Sequence, residues 1–157
     1  MLTNYIMNIT DRQFEIIQAS GKILTAHGLS GLTIKSLSHE IGFSEAALYR
    51  HFKSKEDVIV LMIEYLHTNM YTRLDAIFKS QANGEEKIIS IFESQFAYLS
   101  ENPHFVITVL SDGLIDESQK IKTAIIQLFT YKYGLIFDLV SQLVDEHQLE
   151  NKVAVQS

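Results

Sequence analysis

What the chain lacks narrows it first. It has no cysteine, no tryptophan, a single proline and seven glycines in 157 residues. Without cysteine there is no disulfide framework, no thiolate nucleophile and no cysteine metal site, and the cytoplasm is the expected location. So few helix breakers, with almost no period-2 alternation, predict an all-α chain. No window reaches the roughly 18 apolar residues of a membrane span, so a membrane partner is not expected. Asp11 and Arg12, inside an amphipathic N-terminal pattern, do not suit a signal peptide. No Ser-His-Asp arrangement or glycine-rich phosphate loop is present. No two of the six histidines are three or four residues apart, and Glu64-x-x-His67 is half of a di-metal motif whose second copy is missing. No enzyme, cofactor or metal centre is expected.

The charge is unevenly spread. The net value is −6, yet residues 1–55 carry six basic and four acidic side chains, a local +2 that leaves −8 for the rest. A basic head on an acidic, solvating body suits a nucleic-acid partner.

The chain reads as about eight helices. The first spans Asp11 to His27, with Thr10 as cap and Gly28 as stop. Next, Thr33 can cap a helix carrying Ile34, Leu37 and Ile41, and Gly42 can take the left-handed conformation that ends it. Ser44 can cap a second helix, Glu45 to His51, which turns Ala47 and Leu48 inward and leaves Glu45, Ala46, Tyr49 and Arg50 on other faces. Two short capped helices around a glycine turn are a helix-turn-helix, and the second is short enough to enter a major groove. Ser54 is the expected cap of a long helix to about Lys79, with Glu56 and Asp57 in its first turn. Asn83-Gly84 precedes a helix from Glu85 to Ser100, and Asn102-Pro103 starts a short one to Ser111, with Pro103 at its first position. Past a break around Gly113, a last long helix is expected from Glu117 to Glu146. Of its residues 121–144, fifteen of 24 are apolar or tyrosine. A helix apolar on two sides needs two things to pack against, its own body and a partner copy.

Gly31-Leu32-Thr33, Leu37, Gly42, Ser44, Leu48-Tyr49-Arg50-His51-Phe52 and Ser54-Lys55-Glu56 together resemble the DNA-binding end of TetR-type transcriptional regulators. The resemblance is close over about residues 10–65 and a helix pattern beyond. Ser38 and Phe43 depart from it, where alanine and valine are commoner. The run Ser-Glu-Ala-Ala-Leu-Tyr-Arg-His-Phe is also similar to the nucleoid-occlusion branch of that family. The resemblance implies a three-helix head over residues 1–55 and a helical regulatory and dimerisation body over 56–157. It implies that Lys35, Glu45, Ala46 and Ala47 face base edges, that Thr33, Ser44, Tyr49, His51 and Lys55 hold phosphates, and that Arg50 belongs to the same DNA-binding set.

The implied partners are a double-stranded DNA operator, a second copy of the chain and a small apolar or amphipathic effector. Aromatic residues of the body, Phe92, Phe96, Phe105, Phe129, Tyr133 and Phe137, are candidates for an effector pocket, although aromatics at helical spacing are as readily plain core. The family pairs through the last two helices of each subunit, and the tail after Glu150 is too short for the second. The sequence thus reads as a ligand-responsive repressor; the alternative is an architectural or division-linked DNA-binding protein without an effector.

Overall fold

The computed structural model describes residues 7–111, 114 and 118–156, with helix side chains described as far as Asp145. Among these residues are seven helices and no strand. We number them α1 (Asp11–Gly31), α2 (Ile34–Ile41), α3 (Glu45–Tyr49), α4 (Lys55–Phe78), α5 (Gly84–Glu101), α6 (His104–Leu110) and α7 (Gln119–Gln156). The expected break at Gly113 and the start at Glu117 lie outside the described residues.

Local chemistry sets most boundaries. Thr10 and Gln13 form a reciprocal capping box at the start of α1, as Asn83 and Glu86 do for α5. Gly28 adopts φ 65°, ψ −169°, and one further turn follows it to Gly31. Pro103 sits at the cap position of α6 rather than at its first helical residue. Ser54 occupies the N-cap position of α4, as expected, but makes no side-chain cap bond. The Asp57 carboxylate, in the first turn, instead reaches back to accept from the N–H of Lys53, the residue before the cap, at 2.8 Å. The last helix does not stop at Glu146 but continues to Gln156, there being no glycine or proline in that stretch to end it.

α4 is the central strut. It buries Val58, Ile59, Leu61, Met62, Ile63, Leu66, Met70 and Leu74, so it is apolar on nearly every side and packs against α1, α5, α6 and α7. Its 24 residues span about 36 Å at about 1.5 Å each. One core runs from Ile16 and Ile17 of α1, through Leu37 and Leu48 of the helix-turn-helix, to Leu135 and Leu139 of α7. α1 also packs on α6, where a Cβ on Gly21 would stand only 3.0 Å from the His104 ring. Glycine at 21 lets these two helices meet.

α7 carries two stripes. Ile121, Ala124, Ile125, Leu128, Leu135 and Leu139 are buried against the body, while Ile126, Phe129, Tyr133, Phe137, Val140 and Val144 are exposed. The outer set recurs every three or four residues, the spacing of one helix face. Ile89, Phe92 and Phe96 form a similar exposed row on α5.

Candidate nucleic-acid interface and body cavity

The head is built from short-range bonds. Thr33 Oγ1 accepts from the Ser36 N–H at 3.0 Å, and Ser36 Oγ accepts in return from the Thr33 N–H at 2.9 Å. At the other end of α2, Gly42 has φ 70° and ψ 29°, a left-handed conformation that L side chains rarely adopt. Ser44 Oγ then accepts from the Ala47 N–H at 3.1 Å and starts α3. These bonds fix α3 against α2 with Leu48 fully buried beneath them.

Most of the side chains that the family resemblance assigns to DNA lie outside this packing. Thr33, Lys35, Ser44, Glu45, Ala46, Arg50 and His51 are exposed, and Tyr49 is 54% exposed. Ala47 and Lys55 are half-buried. A tyrosine so exposed, with its ring outside the core, is available to a phosphate through its hydroxyl. No local pattern in the chain announces how α1 braces this unit. The Arg12 guanidinium lies 4.1 Å over the Phe43 ring, and Lys22 pairs with Glu40 at 3.3 Å. Phe43, a departure from the family pattern, is therefore a docking surface for an α1 cation.

In the body, α4, α5, α6 and α7 enclose a cavity of about 170 Å³. The expected aromatic pocket is corrected in part. Phe105 and Phe129 line this cavity. Phe92, Phe96, Tyr133 and Phe137 do not; they lie on the outer face, with Phe96 69%, Tyr133 70% and Phe137 57% exposed. A helix apolar on both sides hides which side faces inward, and here the inward side of α7 is mainly aliphatic, with Tyr131 beside His67 and Phe129 at the edge of the cavity. Phe105 instead stacks between Tyr65 and Tyr98, at 6.0 and 5.9 Å, and is a core residue. Burial holds the His67 and His104 imidazoles below their ordinary range, favouring the neutral form. It pushes the Tyr131 phenol, beside His67, up to about 12. Among the described residues no group of three or more His, Asp or Glu is placed to hold a metal, and no helix is long and apolar enough to cross a membrane.

A capped helix-turn-helix on an all-helical body is the plan of a TetR-type DNA-binding regulator. Residues 16–62 match the family described as bacterial regulatory proteins, tetR family, so this segment is a TetR-family DNA-binding domain. The chain is 32% identical over 121 residues to the nucleoid occlusion factor SlmA of Vibrio campbellii, covering 76% of this chain and 62% of that protein. It is 30% identical over 119 residues to SlmA of a Marinomonas species, covering 76% and 60%. The chain thus spans about 60% of the length of these relatives. The fold is that of the fatty acid degradation regulator FadR from Bacillus halodurans, with a TM-score of 0.77 at 16% identity over 90% of this chain and 72% of that one. The all-α class and the family expected from the sequence are borne out.

Proposed function

We propose that the protein is a sequence-specific DNA-binding transcriptional regulator that acts as a cytoplasmic homodimer, most simply as a repressor. Residues 1–55 serve as the reading head and 56–157 as the regulatory and pairing body. The observation that carries this reading is the head itself: a capped, glycine-turned helix pair packed on α1 through α2, while Lys35, Glu45, Ala46, Tyr49, Arg50 and His51 stay outside. The exposed rows on α5 and α7 support pairing, since a second copy would bury both. Two-fold symmetry would place the recognition helices about 34 to 36 Å apart, one turn of DNA. Retardation of genomic fragments by the purified protein, followed by footprinting, tests the reading. A protected site with two-fold symmetry is the expected result; equal, weak retardation of all sequences would refute it.

A second reading has its own support. The SlmA relatives are nucleoid occlusion factors by name, and the body cavity lies below the roughly 300 Å³ of pockets for drug-sized ligands. A division-linked DNA-binding protein without an effector fits both. The two readings part when candidate effectors are added to the DNA complex: release of DNA supports a ligand-responsive regulator, and indifference supports the division-linked one.

A further inference from the structure

The body cavity and the cations beside it point to a ligand class. Its walls are apolar, supplied by residues such as Leu66, Met70, Leu99, Phe105 and Leu128, and its polar lining is confined to Gln95 and Lys132. An apolar cavity of about 150 Å³ accommodates benzene. At about 170 Å³ this one has room for a single ring or a short hydrocarbon chain, and for little more.

Charge defines the other end of the ligand. Lys132 is half-buried and, among the described residues, forms no ion pair. Arg73 stands directly behind the lining, its Nη2 donating to Gln95 Oε1 at 3.4 Å. Its other bonds run to Asn69 Oδ1 at 2.7 Å, the Ser94 carbonyl at 2.9 Å and Ser94 Oγ at 2.8 Å, and its guanidinium lies 4.4 Å over the Tyr98 ring. Every one of these acceptors is neutral. One cation in the lining and a second held behind it through Gln95, neither with a carboxylate partner among the described residues, stand out in a chain of net charge −6. Partly desolvated cations favour an anion that brings its own negative charge.

We propose that this cavity binds small organic monocarboxylates, with one ring or a short chain in the apolar space and the carboxylate on Lys132, the Arg73–Gln95 pair adding positive potential behind it. The inference rests on the reading of the body as a regulatory unit and names the chemistry of its effector.

The full-length protein is titrated at pH 7.5 with sodium phenylacetate, sodium hexanoate and the two matching neutral amides, by calorimetry and by thermal melting. The acids are expected to bind at least tenfold more tightly than the amides and to raise the melting temperature with concentration. Lys132→Met should bring the acids down to the affinity of the amides while leaving the amides unchanged. Leu128→Phe should fill the cavity and remove binding of both. Because that change touches the core, Val106→Trp, at an exposed part of the lining, is made beside it and should block binding without unfolding. Equal binding of acid and amide, an unchanged preference in Lys132→Met, or no binding at millimolar concentration would overturn the proposal. DNA retardation by the same preparation is read separately. Intact DNA binding with no acid binding removes only the ligand assignment. Acid binding that leaves the DNA complex unaltered removes the effector reading and keeps the site.

Discussion

Asp57 and Lys120, 63 residues apart in sequence, form a 2.8 Å ion pair that ties the first turn of α4 to the first turn of α7. The same carboxylate also accepts from the Lys53 N–H, holding the segment that enters α4. Its Lys120 bond is the chief cause holding the Asp57 carboxyl below the usual 3.8, joined by that backbone bond and opposed by burial. A depressed acid contributes stability that is present above its unfolded value and lost as pH falls through the folded one. Lys120 is largely exposed and its pairing is screened by solvent, so Lys120→Ala should cost little stability. Asp57→Ala also removes the Lys53 N–H bond and should cost on the order of 1 kcal/mol more. Urea melts of both variants and of the double mutant measure this; a larger loss from Lys120→Ala than from Asp57→Ala would contradict it.

His104 and His67 predict a second pH dependence at milder acidity. Both imidazoles are held below 6.5 by burial, so the unfolded chain binds protons that the folded one resists. Stability should be steady above pH 7 and fall as pH drops below about 6.5. Glu64, raised by its own burial, works in the opposite direction nearer its usual 4.5. His104→Gln should flatten the fall in melting temperature between pH 7 and pH 5.5, and an unchanged slope would show that His104 is not among its sources.

The outer row of α7 should govern pairing. Tyr133 and Phe137 stack at 6.1 Å on the exposed side, so replacing both with glutamate leaves the monomer core intact. Circular dichroism should be unchanged, sedimentation at micromolar concentration should show a monomer, and operator affinity should fall at least tenfold. A double variant that still sediments as a dimer would place the interface elsewhere.

Within the head, Lys35 and Lys55 are proposed for different work. Lys55→Ala, removing a phosphate contact in each subunit, should weaken binding to all DNA alike and flatten the log-affinity against log-salt slope by about 2. Lys35→Ala should cost about 1 to 3 kcal/mol per half-site on the footprinted sequence and much less on scrambled duplex. Equal losses on the two duplexes would remove Lys35 from the base-reading set.

The contrast between head and body shows what a sequence carries. Thr33, Gly42 and Ser44 act on groups within a few residues of themselves, so the α2–α3 unit is legible in the order of residues alone. Ser54 is the right residue type at the cap position and still makes no side-chain cap bond, while Asp57 reaches back to the Lys53 N–H. The body reads as helices with breaks at Asn83 and Asn102, and both breaks are found. Which aromatics face inward is not legible, since α7 is apolar on both sides and only packing against α4 and α5 selects Leu128, Leu135 and Leu139 over Tyr133 and Phe137. Arg12 on Phe43 and Lys120 on Asp57 are contacts across long stretches of chain, beyond the reach of any short-range pattern.

The length of α4 sets a scale for how finely this protein must hold itself. On an arm of about 36 Å, a tilt of about 5° at the body end sweeps the head end through about 3 Å. That is close to the roughly 3.4 Å rise of one base step. In a two-fold pair both arms swing, so a rearrangement no larger than a side chain changing rotamer in the body would shift the separation of the heads by nearly two base steps. On the proposed reading, DNA would be the ruler against which small changes in the packing of Leu66 and Met70 are read.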